Sequence, residues 1–201
     1  MLLHRYLEET LGNKISIVLL RTMINYKGKI FTVRGLAKQA KISVNETALT
    51  VHHLEKLGII KIQPVGNAYQ LELNEESYIL NKLVEPVIMA EKRTVLELVN
   101  LLRQHLDTSK VISAVIFGSV ATGHEKIDSD IDLLVVSDYR DHVIDRISKA
   151  SQQVFLEFNG SLSPLIFTQK EFKAKQKGSL IQSIIDDHIL ICGRKIGASR
   201  W

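Results

Sequence analysis

The 201-residue sequence contains one cysteine, Cys192, three prolines and few aromatic residues. A single cysteine excludes an intrachain disulfide framework and a cysteine zinc cluster. It fits a protein of a reducing compartment, and we expect the Cys192 side chain to be buried. No apolar run reaches the roughly 18 residues that are needed to cross a bilayer. The early acidic residues Glu8 and Glu9 also differ from the start of a signal peptide. We therefore expect a cytoplasmic protein without a membrane partner.

The sequence also has only a small excess of positive charge, with a formal net charge of +4. Residues 1–110 carry 15 Lys and Arg against 11 Asp and Glu, whereas residues 111–201 carry 11 of each kind. A basic surface favours polyanions, but an excess this small also fits an ordinary solvated surface. Charge alone leaves nucleic-acid binding open and places any such surface in the first half of the chain.

The first 75 residues show the pattern of short helices followed by a small hairpin. An apolar stripe at helical spacing predicts a helix over residues 15–24. Ser43 and Glu46 have the spacing of a capping box, which predicts the start of a further helix. That helix is expected to end near Gly58, and two short strands over 59–73 are joined by a Pro- and Gly-containing turn.

Three segments of this region form a series: Thr32–Lys38, Ile42–Ser43 and Leu54–Ile60. The series resembles the winged helix-turn-helix of MarR- or ArsR-like regulators. The resemblance implies double-stranded DNA as a partner, with the capped helix in the major groove and basic residues on phosphates. A winged helix used only for protein contacts or dimerisation is the alternative. The residues expected to contact DNA are Arg34, Lys38, Asn45, His52, His53, Lys56, Lys61 and Asn67.

From residue 111 onward, apolar strands alternate with helical segments. Pro164 lies within the last predicted strand and therefore predicts an edge position or a bulge for it. The alternation predicts helices over a small mixed sheet. The preceding stretch, 76–108, is mostly helical, with a kink or break expected at Pro86. The predicted strands cover 111–117, 130–136 and 162–168, and the predicted helices lie near 141–157, 169–176 and 179–188.

Four residues in this half have the pattern of a phosphate and metal site. Gly118 and Ser119 follow a strand and precede a helix, so backbone N–H groups and a hydroxyl can meet an anion there. Asp130 and Asp132 are two apart on the next strand, and both carboxylates therefore project from one face. Adjacent carboxylates repel each other unless a cation lies between them, and hard divalent ions prefer such oxygen ligands.

The two segments Phe117–Gly123 and Ser129–Val135 together resemble the signature of the minimal nucleotidyltransferases of the DNA polymerase beta superfamily. The resemblance implies that Gly118 and Ser119 hold the triphosphate of an NTP and that the two aspartates, Asp130 and Asp132, bind Mg²⁺ or Mn²⁺ and serve catalysis. An acceptor hydroxyl would attack the α-phosphorus and release pyrophosphate.

The sequence departs from that family at the third carboxylate, which the family usually has on a later strand. The corresponding position falls at or near Ser163, and serine supplies no charge. Four other acids, Glu157, Glu171, Asp186 and Asp187, are better read as solvated surface residues. Loss of a base and a metal ligand typically reduces the rate by orders of magnitude, so nucleotide binding is better supported than catalysis.

The two resemblances together predict an α+β protein with three parts. Residues 1–75 form a winged helix-turn-helix, 76–108 a helical linker and 109–201 a nucleotidyltransferase fold. We favour a Mg²⁺-dependent nucleotidyltransferase that carries a DNA-binding domain. The alternative is a DNA-binding regulator or antitoxin whose nucleotidyltransferase domain binds nucleotide or a partner with little or no catalysis. A homodimer and a HEPN-type partner protein are expected only from the resemblance.

Overall fold

The computed structural model describes residues 4–66 and 68–197. The chain divides into two compact units, Met1–Arg93 and Thr94–Trp201. Each unit contains its own buried apolar cluster. Among the described residues, no helix is both long and apolar enough to cross a membrane.

The first unit combines helices with a three-stranded antiparallel sheet, in which β3 lies between β1 and β2. Its largest apolar cluster joins Leu19 and Leu20 of the second helix to Leu36 and Leu54 of the next two helices, and all four side chains are fully buried. The elements are α1 (Tyr6–Leu11), α2 (Lys14–Asn25), β1 (Phe31–Thr32), α3 (Val33–Ala40), α4 (Val44–Lys56), β2 (Ile60–Val65) and β3 (Ala68–Leu73).

Helix α4 begins at the predicted cap. The Ser43 hydroxyl accepts the N–H of Glu46 at 3.2 Å and donates to the Glu46 carboxylate at 2.6 Å. The buried face of the helix includes Thr47 and Thr50 beside Val51. Burial of Thr47 is tolerated because its hydroxyl donates to the Ser43 carbonyl at 2.8 Å, which leaves no unsatisfied donor.

The helical stretch around Pro86 contributes to both units. A π-helical turn, Leu80–Val84, leads into the long helix α5 (Glu85–His105). Pro86 is the second residue of α5 and lies within a helical stretch that is continuous over residues 78–105, so its missing N–H falls inside the helix. The residue before it, Glu85, donates its N–H to the Leu80 carbonyl in the π-helical pattern. Ile88 packs in the first apolar cluster, whereas Leu102 packs in the second. The boundaries 1–75, 76–108 and 109–201 remain predictions.

The second unit contains a four-stranded mixed sheet in the order β6-β5-β4-β7. Strands β5 and β6 are parallel, and the other two pairings are antiparallel. The predicted mixed sheet is confirmed, and Pro164 does lie in an edge strand; β7 was not predicted. The elements are β4 (Ser113–Phe117), α6 (Gly118–Thr122), β5 (Ile131–Val136), α7 (Arg140–Phe158), β6 (Leu162–Phe167), α8 (Gln169–Lys175), α9 (Ser179–Asp186) and β7 (Ile189–Gly193).

This sheet is covered on both faces, which explains its nearly continuous apolar strands. On one face Ile116 and Leu133 pack with residues of α5 and α7. On the other face Val115 and Leu134 pack with Phe172 of α8 and with α9. Successive residues of a strand therefore pack in the two apolar clusters in turn. The residue that precedes or begins each strand lies at the rim of the sheet.

Candidate functional site

Asp132 lies against the backbone of Gly118. In the antiparallel register Asp132 is opposite Phe117, the last residue of β4. Gly118 has φ 72°, in the left-handed region that favours glycine. A Cβ added to Gly118 would overlap Oδ2 of Asp132 and lie 3.2 Å from its Cγ. Glycine is therefore required here both by the backbone and by the carboxylate that packs on it.

Asp130 lies immediately before β5 and is held by the neighbouring strand segment. The Ser161 hydroxyl donates to Oδ1 of Asp130, and the Ile131 N–H donates to the Ser161 carbonyl at 2.8 Å. Burial raises the pKa of Asp132 above its ordinary value, and the charge of Asp130 raises it further. The two carboxylates are thus close enough to repel each other, and a divalent cation between them would remove that repulsion.

Ser119 is the second residue of α6, a helix of only five residues that begins directly after β4. Its backbone N–H is therefore one of those that lack a partner within the helix. The Ser119 carbonyl accepts from the Thr122 hydroxyl at 3.1 Å and from the His124 N–H at 2.9 Å. These bonds fix the turn that carries the predicted phosphate-binding pair, Gly118 and Ser119, beside Asp132.

Ser163 stands where the parallel register places a partner for Asp132. The two residues are directly paired between β5 and β6, and paired residues on neighbouring strands share a face of the sheet. A carboxylate at this position would therefore join Asp130 and Asp132. Within the described part of the chain, no group of three or more His, Cys, Asp or Glu side chains has the arrangement of a metal site.

Two of the four alternative acids are engaged elsewhere. The Glu171 carboxylate accepts the N–H and the hydroxyl of Thr168, at 2.8 and 2.9 Å, in the capping box of α8. These hydrogen bonds lower the pKa of Glu171. Glu157 accepts from Gln153 on α7 at 2.5 Å. Asp186 ends α9 and Asp187 follows it, so both lie near the start of β7.

A cavity of about 540 Å³ adjoins Asp130 and Ser161. This volume is within the range of small-molecule sites. Gly118, Ser119 and Asp132 do not line it, so the cavity lies beside the predicted phosphate site and not over it. Its apolar lining consists of Val95, Leu98, Val120, Ile127, Ile131, Phe155 and Phe158.

The predicted DNA-contacting residues lie on three elements of the first unit. Arg34 and Lys38 are exposed on α3, and Lys61 lies on β2. Lys61 is 3.5 Å from the carboxylate of Glu76. Asn67 lies outside the described residues. The remaining four, Asn45, His52, His53 and Lys56, are exposed along α4.

The two histidines of α4 contact other residues of the same unit. His53 Nε2 lies 3.1 Å from the Glu9 carbonyl oxygen and 3.4 Å from the Glu9 carboxylate. His52 Nδ1 is 3.6 Å from Glu55, and its ring packs edge-to-face on Tyr69. The α4 surface therefore carries two kinds of residue. The histidines already contact other residues of the unit, and the remaining predicted residues are exposed polar groups.

Ser161 is the site residue that the sequence did not indicate. It precedes β6, about 30 positions after the aspartates, and only the parallel β5–β6 register brings it to Asp130. A strand that follows a crossover helix in an α/β unit is usually parallel to the first. That rule is the one signal in the sequence that points to the stretch before β6.

Residues 97–191 match the family model described as the nucleotidyltransferase domain. This match includes the Gly-Ser pair, both aspartates and the strands that position them. The segment is therefore similar to nucleotidyltransferase domains, which supports a transferase. No curated protein matches the chain.

Several solved structures share partial similarity with the chain. The toxin-antitoxin with AMP-PNP is 18% identical, with 51% of this chain and 75% of that chain covered and a TM-score of 0.34. The toxin-antitoxin MntA-HpeT mutant is 16% identical, with 50% and 73% covered and a TM-score of 0.32. TrmBL2, an archaeal chromatin protein, is 16% identical, with 90% and 72% covered and a TM-score of 0.30. TM-scores this low support no argument about function.

Proposed function

We propose that the nucleotidyltransferase domain transfers a nucleoside monophosphate from an NTP to an acceptor hydroxyl. The acceptor oxygen forms a bond to the α-phosphorus, and the bond to the pyrophosphate leaving group breaks. The observation that supports this most directly is the packing of Asp132 on Gly118. It brings a carboxylate to the turn whose backbone is suited to hold phosphates.

The donor set at this position fits a divalent ion. Asp130 and Asp132 would hold Mg²⁺ or Mn²⁺, with phosphate oxygens and water completing its ligands. Burial raises the pKa of Asp132 and the charge of Asp130 raises it further, and the second of these effects is in line with two carboxylates that share a cation. When bound, the ion would neutralise charge on the phosphates.

The side chains and backbone around the ion would each have a separate task. Gly118 and Ser119 would bind the triphosphate through the N-terminus of α6. Ser161 would hold Asp130 in one orientation through its hydrogen bond. Gly118, Ser119 and Ser161 would thus bind and orient the nucleotide and the metal ligands. Because Ser163 supplies no carboxylate beside Asp132, the proton of the acceptor hydroxyl must pass to a group elsewhere.

Transfer is tested with purified full-length chain, Mg²⁺ and each of four α-labelled NTPs, first with total cell extract as the acceptor. We expect label to enter an acceptor, and Asp132→Asn to reduce the rate by at least about 10²-fold, the loss typical of one electrostatic group in a transition state. Asp141→Asn is the matched control, because Asp141 is an exposed carboxylate of α7. Undiminished labelling by Asp132→Asn would contradict the proposal.

We also propose that the first unit is a winged helix that binds double-stranded DNA. The support is a capped helix, α4, that follows α3 closely, with β2 and β3 as the hairpin. Arg34, Lys38, Asn45 and Lys56 are exposed on these helices, and their side chains form no ion pair or hydrogen bond with another of the described residues. Such groups are available for phosphates and base edges.

DNA binding is tested by fluorescence anisotropy of full-length chain on duplexes selected from a random library. We expect one duplex sequence to be preferred, with an affinity that falls steeply as salt rises. Replacing Lys56 by Ala should lower the slope of log K against log salt by about 0.9, the value for one phosphate contact. Lys149→Ala, on α7, is the control. Equal affinity for every duplex would count against a sequence-reading winged helix.

The alternative function is a regulator or antitoxin whose domain binds nucleotide or a partner without fast chemistry. Ser163 favours it, because the missing carboxylate lies in register with Asp132. This alternative predicts NTP binding by calorimetry that needs Mg²⁺ and Asp132, with no transfer to any acceptor. A homodimer and a HEPN-type partner protein belong to the same proposal, and light scattering with and without such a protein measures both.

A further inference from the structure

His188 lies at the same rim of the sheet as Asp132. Strand β7 pairs with β4 so that Ile189 is opposite Ile116. Continuing that register by one residue places His188 beside Phe117, which is opposite Asp132. Because Asp132 also pairs with Ser163, the extended register gives one row across the sheet, Ser163, Asp132, Phe117 and His188, of which His188 immediately precedes β7.

The four residues of this row share a face. Ile189 and Ile116 belong to the apolar cluster of one face, and successive strand residues alternate between faces. His188 and Phe117 therefore fall on the other face, where Phe117 packs against the cluster that contains Phe172. Two strand spacings of about 4.8 Å separate Asp132 from His188, so their backbones are about 10 Å apart.

The ring of His188 is held by one hydrogen bond. Nδ1 lies 2.7 Å from the carbonyl oxygen of Ile184, in the last turn of α9, and the contact is partly buried. A carbonyl oxygen only accepts, so in the neutral ring the proton must be on Nδ1. Nε2 then carries the free lone pair. This is the tautomer that a base requires, with its orientation fixed by the helix end.

We propose that Nε2 of His188 is the base for the acceptor hydroxyl, a role that rests on the proposed nucleotidyl transfer. The acceptor O–H bond breaks and its proton passes to Nε2. The oxygen forms the bond to the α-phosphorus, and the pyrophosphate leaves with the bonding electron pair. His188 thereby supplies from β7 the basic group that Ser163 does not supply from β6.

A purely structural role for His188 makes a different prediction. The Nδ1 bond satisfies a carbonyl at the end of α9 and would stabilise that end by itself. Two substitutions separate the roles. In His188→Asn the amide nitrogen takes the place of Nδ1 and keeps the bond to Ile184, but nothing replaces Nε2. In His188→Gln the amide reaches the place of Nε2, and the bond to Ile184 is lost.

The test measures transfer rate and thermal stability of the full chain for the wild type, His188→Asn, His188→Gln and Asp132→Asn. We expect His188→Asn to keep the wild-type Tm and the KM for NTP while kcat falls by about 10²-fold or more, the usual contribution of a general base. His188→Gln should lose about 2–4 °C in Tm, the effect of one lost hydrogen bond in a chain of this size.

Two results would overturn the role of His188. Activity that depends on Asp132 but is unchanged in His188→Asn would leave nucleotidyl transfer standing and remove His188 from it. A long-range ¹⁵N–¹H spectrum that shows the proton of the neutral His188 ring on Nε2 would do the same without any activity measurement, with His188→Asn identifying the signal. Absence of any transfer that depends on Asp132 would overturn both proposals.

Discussion

Replacing Gly118 by Ala tests the contact on which the nucleotide site depends. Gly118 has φ 72°, and an added Cβ would overlap Oδ2 of Asp132. Gly123, five residues later, has φ 69°, and its added Cβ would meet no heavy atom within 4 Å. The two alanine variants therefore have the same backbone strain, about 1–2 kcal/mol for a left-handed residue, and only one of them displaces the carboxylate.

We expect both variants to lose about 1–2 kcal/mol of unfolding free energy in urea from the backbone alone, with Gly118→Ala losing more. Transfer of labelled NMP should fall at least about 10²-fold in Gly118→Ala, since a shift of about 1 Å in a positioning group has that effect. Gly123→Ala should stay close to the wild-type rate. Equal rates in the two variants would refute the reasoning, because the Asp132 contact would then have no part in activity.

Three further changes have expected outcomes. Ser163→Asp should place a third carboxylate beside Asp132 and strengthen Mn²⁺ binding, measured by electron paramagnetic resonance; unchanged affinity would contradict the β5–β6 register. The pKa of Glu171 is held below the ordinary 4.5, so the stabilising effect of its carboxylate is present above pH 4.5 and is lost as pH falls further. The difference in urea stability between wild type and Glu171→Gln should therefore shrink as pH falls below 4.5. A difference that stays constant with pH would refute this role of Glu171. Leu102→Ala should cost about 2–5 kcal/mol of unfolding free energy because Leu102 is fully buried, whereas Leu96→Ala, at an exposed position, should cost little; equal losses would contradict the core assignment.

The short-range features of the second unit could be predicted from the sequence. Asp130 and Asp132 are two residues apart at the start of an apolar strand, and that spacing alone places both carboxylates on one face. Gly118 and Ser119 follow another apolar strand, which is enough to predict the turn into α6. The family match over residues 97–191 spans both segments.

Features that depend on pairing between distant segments could not be predicted. Strand β7 is a five-residue apolar run after a helix, and such a run does not reveal its partner. Its pairing with β4 is what brings His188 to the rim, and the β5–β6 register is what brings Ser161 to Asp130. Both contacts follow from sheet order, which local periodicity does not contain.

Burial within α4 also differs from the apolar pattern. Val44 is 44% exposed although it is apolar, while Thr47 is fully buried. The Ser43 carbonyl satisfies the Thr47 hydroxyl. A short polar side chain with a local partner is inexpensive to bury, so the buried face of α4 includes threonines that apolar spacing does not indicate.

The central claim is that Asp130 and Asp132 share a divalent ion beside the Gly118–Ser119 turn. The most direct measurement is a crystal structure of the full chain with Mn²⁺ and a non-hydrolysable NTP analogue, with anomalous data collected at the manganese edge. The account predicts an anomalous peak within bonding distance of both carboxylates, with the triphosphate along the N-terminus of α6. Manganese bound without either aspartate, or a triphosphate elsewhere on the domain, would contradict it.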